Sequence, residues 1–542
     1  MKRWGSASVH LSALLAFAAC DSAPVAEGGA PLRDFGGPKG PADLAAGGDS
    51  DGGPLTSSPA PAPAIVQLFD WSFAEIAAEM PRLAALGYTH VHVSPPTLSN
   101  PSAAWWARYQ VVDYRVIDGP LGDESAFRAM VAAGRTSGVG IVADVVLNHM
   151  ANLGASYDLT FPPPPAQQQQ LYGKSYPSLT EALFTAVDFH AAFCISDYND
   201  PQDVRDGRIC GGGGDTGLPD LRETDADHTT VNPRVLSRQR DYLQYLIALG
   251  VSGFRIDALK HMEPAYIAAL LQGLPSDLLI FGESIADTTP AAWSASLTPY
   301  MQLGLPLRFY DFPLVHTLHD ALAYSGDLRS LAGDLAHDQR AISAPLAVTF
   351  VVEHDIPQNP MAELFMGRCA ESDRYGDPVN ESLAYTFILG REAGIPYVYS
   401  DRGIQGGDGV PTDSYRNAHR RCDRARMLRF HALTAGLAEA PLYTAKDQLL
   451  FARGKRGVIA INKSATAWAS TSVGPLGGLD DGEWVDVLSG KTLQVSGGLL
   501  GSFTLPPRTA AMFLHDALFT PTASAALASL ACDSPTPPPC SP

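Results

Sequence analysis

Gly253-Phe-Arg255-Ile-Asp257-Ala-Leu-Lys260-His261 follows directly on the segment Pro233–Leu249, and the pair decides the fold. In Pro233–Leu249 the residues Leu236, Leu243, Leu246 and Ile247 fall on one face of a helix, and Gly250 closes it. From Gly250 to Ile256 the chain becomes a short apolar strand. The same alternation recurs on both sides. Ile65–Phe69 is a strand, followed by Phe73, Ile76, Ala77, Met80, Leu83 and Ala84 at helical spacing and by Gly87. Val91–Val93, Gly140–Val146, Leu278–Phe281, Leu346–Val352 and Ile395–Tyr399 are further strands with helices between them. Strands alternating with helices form a parallel sheet, and this many units predict a closed (β/α)8 barrel of the TIM type in an α/β protein.

Two stretches break the alternation. Residues 150–230 hold two cysteines, a glycine run, and Phe161-Pro-Pro-Pro-Pro165 followed by four glutamines from Gln167, but no helix of convincing period. They read as an insertion domain after the third strand, with the Pro and Gln tract as a solvent loop. The barrel then comprises 64–149 and 231–437. Beyond it the helical period disappears. Gln448–Phe451, Gly457–Ile461, Trp484–Val487 and Ala510–Leu514 are strands separated by Gly and Asp turns, which predicts a C-terminal antiparallel β-sandwich over 438–516. Residues 517–542 form a tail rich in Pro, Ala and Ser.

The N-terminus reads as an export signal. Lys2 and Arg3 precede an apolar run from Val9 to Ala19, too short to span a bilayer, and residues 1–20 end in Phe17-Ala-Ala-Cys20. Small residues directly before a cysteine resemble the lipobox of bacterial lipoproteins, which predicts a lipidated Cys20 and a cell-surface or outer location. Phe17 stands where Leu is usual, so plain secretion is the alternative. Residues 21–63 have almost no large apolar side chains and are expected to form a flexible linker. A formal net charge of −19 argues against a nucleic-acid partner. Of seven cysteines, Cys20 is the odd one, and the remaining six allow fifteen pairings. Proximity favours Cys194–Cys210 and Cys532–Cys540, leaving Cys369–Cys422. No CxxC pair or His-Cys cluster points to zinc.

Active residues of such barrels gather at the C-terminal ends of the strands. Four ends here are charged: Asp144-Val-Val-Leu-Asn148-His149, the Arg255-Ile-Asp257 strand, Phe281-Gly-Glu283, and Phe350-Val-Val-Glu353-His354-Asp355. Charges inside apolar strands need a partner or a function. Arg255 and Asp257, two apart, face one side, where the arginine can hold the carboxylate ionised. An ionised carboxylate opposite a protonated one, about 5 Å away, is what a retaining glycosidase needs.

These four segments resemble, in order, the main motifs of the α-amylase family, glycoside hydrolase family 13. Gly87–Pro95 is similar to its second-strand motif and Leu218-Pro-Asp220-Leu to its insertion-domain motif, while Trp105-Trp106-Ala-Arg-Tyr109-Gln110 and Tyr198–Asp206 are close to animal and actinobacterial members. The resemblance spans residues 64–516. It implies a retaining endo-hydrolase of α-1,4-glucan, with Asp257 as nucleophile, Glu283 as general acid/base, and Asp355 as the carboxylate gripping and distorting the sugar. Arg255 would orient Asp257. His149 and His354 would bond the sugar, with Asp144 beneath them. Tyr109 would stack on that sugar and Gln110 bond it. Trp105 and Trp106 would floor the neighbouring subsites, Lys260 would reach the leaving-group side, and His261 would be a further substrate-binding residue.

The resemblance also implies a structural calcium ion held by Asn148, Asp220 and the carbonyls of Arg205 and His261. Chloride is not expected, because Glu353 occupies the position where chloride-activated members carry Asn, and no further basic residue stands near Val379. The partner would be α-glucan or maltooligosaccharide, met by a monomer. A transglycosidase and a non-catalytic glucan-binding member are the rival readings. The three carboxylates count against the second, and the want of an obvious extra starch-binding domain counts against the first.

Overall fold

The computed structural model describes residues 62–154, 159–211, 214–358, 378–403, 415–519 and 522–533. Eight parallel strands close into a barrel. They are β1 (Ile65–Phe69), β2 (His90–Val93), β3 (Gly140–Val145), β4 (Gly253–Ile256), β5 (Leu279–Gly282), β6 (Leu307–Tyr310), β7 (Ala347–Thr349) and β8 (Ile395–Asp401), each paired with its sequence neighbours and β1 with β8. Strand β6 lacks the apolar run that marks the others. Arg308 interrupts it, and its half-buried guanidinium donates to the Pro345 carbonyl while Leu307, Phe309 and Tyr310 are buried. The seventh strand is shorter than its apolar run, because Phe350–Val352 leave the ladder while staying buried.

The helices between the strands begin and end where their chemistry dictates. Helix α1 (Phe73–Leu86) starts at a capping box between Ser72 and Glu75, and Gly87, at φ 98°, ends it in the left-handed conformation that a side chain resists. Helix α2 (Glu124–Ser137) is capped by Asp123.

The insertion differs from the expected solvent loop. Pro165–Tyr172 is a helix, α3, with proline at its first turn and Gly173 at its C-cap. Its hydrophobic face is weak, which hides it from a periodicity reading. It is held instead by the buried Gln168, which donates to the Pro163 carbonyl at 2.7 Å and accepts from the Tyr176 N–H at 2.9 Å. A second short helix, α4 (Pro201–Asp206), is capped by Asp200. Helix α5 (Pro233–Leu249) leads back into β4.

C-terminal to the barrel, β9 (Glu439–Thr444), β10 (Gln448–Arg453), β11 (Gly457–Asn462), β12 (Gly482–Asp486), β13 (Thr492–Ser496), β14 (Leu499–Leu500) and β15 (Thr509–His515) form an antiparallel sheet in the order β9-β10-β11-β15-β12-β13-β14. A two-stranded ribbon, Trp468–Ala469 with Thr504–Leu505, accompanies it.

Cys194 is bonded to Cys210 as expected, but Cys422 is bonded to Cys532. That bond overturns both Cys532–Cys540 and Cys369–Cys422. Proximity along the chain misleads here, because folding the tail back bridges the 110-residue separation. Asp533 pairs with Arg82 at 2.7 Å, and its N–H donates to the Arg420 carbonyl, so this part of the tail lies on the barrel. Cys20, Cys369 and Cys540 fall outside the described residues.

Candidate active site

Strand register builds the floor of the site. Asp144 of β3 and Arg255 of β4 are register partners, both wholly buried, and their side chains meet at 3.0 Å. Asp144 also accepts from the Tyr109 hydroxyl at 2.9 Å and contacts His92 at 3.2 Å. Its carboxylate is fully engaged beneath the cleft. Burial alone would raise its pKa, but Arg255 and His92 outweigh that and bring it to about 2. His92 is wholly buried and supports Asp144.

The guanidinium of Arg255 reaches two more carboxylates. Nη1 lies 2.6 Å from Asp257 and Nη2 lies 2.7 Å from Glu283. Asp257 sits just past β4, and Glu283 just past β5. Ala258, between Asp257 and the next turn, holds φ at 49°, a left-handed value costly for a residue with a Cβ, and its N–H donates to Glu283 at 3.1 Å. Burial raises Asp257 to about 6 despite the pull of Arg255, and it raises Glu283 as well, with the Asp257 charge adding to the effect.

Across the cleft, Glu353 accepts from the Asp355 and Ile356 N–H groups and pairs with His354 at 3.0 Å. Burial would lower the His354 pKa, but Asp355 and Glu353 carry it up to about 9, so the ring is an imidazolium. Asp355 itself is raised to about 7 by burial. Gln67 contacts His354 at 3.2 Å, and the ring lies parallel to Tyr109, 5.1 Å away and tilted by 7°, and against Phe69.

A cavity of about 310 Å³ opens above these groups. Asp257, Asp355, His354, His149, Tyr109, Gln110, Trp105 and Trp106 line it, whereas Glu283, Asp144 and Arg255 lie behind this lining. His149 bonds the Tyr109 carbonyl at 3.0 Å, and burial lowers it to about 4, so it is neutral at ordinary pH. Asn100, Asn152 and Asp215 line the cavity too, and no spacing in the sequence marked them. Asn100 donates to Gln110 at 2.9 Å. Asp215 accepts from Asn152 and from the Gly211 N–H, which fixes the wall beside Cys210. Lys260 and His261 do not line this cavity. Lys260 lies 5.6 Å from the Tyr198 ring, and burial lowers its pKa to about 8.

Behind them, Asn148 and Asp220 are buried together, and Asn148 donates to Asp220 at 2.8 Å. His261 meets the Val204 carbonyl at 3.1 Å, which joins α4, bearing Arg205, to the barrel. Burial pushes the Asp220 carboxyl well above its usual range. Asn148 and Asp220 bring an amide and a carboxylate together in a buried position, and their oxygens are of the hard type that suits calcium.

Residues 72–279 match the family model "Alpha amylase, catalytic domain". An α-amylase of Aeromonas hydrophila is 37% identical over 431 residues, which is 76% of this chain and 86% of that protein. The pancreatic α-amylase of Rattus norvegicus is 30% identical, covering 81% and 89% respectively. Among solved structures, wild-type α-amylase I of Eisenia fetida superposes with a TM-score of 0.65 at 25% identity, over 84% of this chain and 98% of that one.

Proposed function

The chain belongs to the α-amylase family of glycoside hydrolases, and on that premise we propose that its cleft hydrolyses α-1,4-glucosidic bonds of starch and maltooligosaccharides with retention. The observation that carries the reading is the single guanidinium of Arg255 spanning Asp257 and Glu283. Two carboxyl groups held by one guanidinium suit the close pairing of a retaining mechanism with a covalent intermediate. Asp257, ionised, attacks the anomeric carbon as the glycosidic bond breaks. Glu283 gives its proton to the leaving oxygen, then takes one from the water that releases the sugar. Asp355 and the charged His354 bind hydroxyls of the same sugar, over the ring face of Tyr109. Trp105 and Trp106 offer apolar faces to neighbouring glucose units.

Asp257→Asn and Glu283→Gln are each expected to lower starch hydrolysis by several orders of magnitude while thermal unfolding stays near wild type. Near wild-type turnover in either variant would remove the assignment. Product chromatography separates the rivals. Linear maltooligosaccharides support hydrolysis, cyclic or transfer products a transglycosidase, and no product at all a binding protein.

Calcium belongs to the same reading. Asn148, Asp220 and the carbonyls of Arg205 and His261 would hold it, and its chemistry there is to neutralise Asp220 and tie the insertion to the barrel. The N-terminal segment fits an exported, monomeric enzyme tethered through a lipid on Cys20. This reading requires an acylated Cys20 as the mature N-terminus in intact-mass analysis; an unmodified terminus elsewhere means plain secretion.

A further inference from the structure

One charged group at the cleft takes no part in the steps above. Glu353, just past β7, is wholly buried and does not line the cavity, whereas His354 and Asp355 do. Its bonds go to the segment that follows it. Both carboxylate oxygens accept from the Asp355 N–H at 3.1 Å, and one of them accepts from the Ile356 N–H at 3.2 Å. The other oxygen lies 3.0 Å from His354 Nδ1. A buried carboxylate is costly unless its charge is answered. The two N–H groups need only an acceptor, which a neutral amide oxygen would also supply. The charge itself is answered by His354.

We propose that Glu353 is a positioning residue for the hydrolysis proposed above, on which this role rests: through its ion pair with His354 and its bonds to the Asp355 segment it sets both residues against the sugar.

The surroundings of His354 suit a charged ring on every side. Its faces lie against Phe69, with centroids 4.5 Å apart, and Tyr109, at 5.1 Å, and aromatic faces attract a cation. One edge meets Glu353, and at the other Nε2 stands 3.6 Å from Asp355. Gln67 brings its Nε2 to 3.2 Å from Nδ1, while its Oε1 is buried with no partner among the described residues. A proton on Nδ1 lets that amide turn over and gives Oε1 a donor. On the facing strands, Arg255 of β4 opposes a charge on the ring, whereas Asp144 of β3 and an ionised Glu283 of β5 favour it. Burial lowers the pKa of His92 of β2, so it adds no charge at neutral pH. Asp355 and Glu353, at the ring's own edges, are its strongest support. A neutral residue in place of Glu353 could keep the N–H bonds but would lose the ion pair.

Two readouts on the full chain test this. In 15N-histidine-labelled protein, with His354 assigned by the signals lost in His354→Asn, both ring nitrogens of His354 should carry protons at neutral pH in the wild type, and only one in Glu353→Gln. On a maltooligosaccharide, Glu353→Gln should lower kcat/KM about a hundredfold, mostly in kcat, because Trp105 and Trp106 still hold the neighbouring units. Glu353→Asp keeps the charge on a shorter side chain. It should leave His354 protonated and retain at least about a tenth of wild-type kcat/KM. A merely structural role would rank the variants the other way, since glutamine matches glutamate in size and aspartate leaves a gap. A neutral His354 in the wild type overturns the role, as does a glutamine variant as active as the wild type or an aspartate variant no better than the glutamine one. If Glu353→Gln does not fold, the wild-type ring and the aspartate variant decide, and a neutral ring in either overturns it. If the wild type itself cleaves no starch, the hydrolase reading fails, while the ring measurement still decides the ion pair.

Discussion

Arg255 has one guanidinium and three carboxylates to serve: Asp144, Asp257 and Glu283. Asp144, wholly buried, receives much of the charge and is held at about 2. Asp257 receives less than its desolvation removes, so its pKa rises to about 6. The sign of the consequence follows. A nucleophile must be ionised, and a raised pKa means that the ionised fraction falls as pH drops through about 6. We therefore expect kcat/KM on a maltooligosaccharide to fall about tenfold per pH unit below pH 6. A flat profile down to pH 4.5 would show that Arg255 holds Asp257 ionised more strongly than its burial opposes. At this scale the sequence was informative wherever a charge interrupted an apolar strand, as at Arg255 and Asp257. It was silent on Gln67, Phe69, Asn100 and Asp215, which are ordinary for their local segments and gain meaning only when the barrel brings them to the cleft.

Between elements, the same distinction holds. Strands whose apolar run stands between a helix and a Gly turn were legible, whereas β6 was not, because Arg308 breaks its run and a backbone carbonyl satisfies it. Helix α3 was missed because polyproline and polyglutamine carry no amphipathic period, and the single buried Gln168 that anchors it looks like its neighbours. Disulfide partners were legible only where the loop was short. The proposed calcium ion would act at this scale, since its donors would come from β3's end, the insertion and the turn after β4. A ligand bound by the folded form alone stabilises it by mass action, by about 4 kcal/mol at a thousandfold excess over Kd. Chelation should lower the melting temperature and added calcium restore it. An unchanged midpoint in protein shown by elemental analysis to be metal-free would remove the site.

Over the whole molecule, one buried hydrophobic cluster runs from the barrel into the C-terminal sheet. It takes in Leu428 and Phe430 of the helix Cys422–Leu433 together with Phe451, Ile459, Met512 and Leu514 of the sheet. Packing is close enough that a Cβ at Gly390, the end of the helix Pro378–Gly390, would come within 2.7 Å of the Ile459 side chain. Arg453 on β10 secures the junction. It is 2% exposed and donates to the carbonyls of Gly390, Thr434 and Leu437 at 2.7–2.9 Å. The alternation of strand and turn predicted a sheet here, but nothing in that pattern says whether it is a separate module, because the face that packs on the barrel looks like any buried strand face. The shared cluster argues that barrel and sheet unfold together. Arg453→Met would take this donor from the Gly390 and Leu437 carbonyls, while Thr434 keeps the Leu437 N–H, at a cost of roughly 2–4 kcal/mol. Calorimetry of that variant should show one transition shifted down by several degrees, with barrel and sheet melting as one. If the sheet is instead an appended module, a new low-temperature transition would separate while the main one stays in place, and the view of a single cooperative body would be wrong.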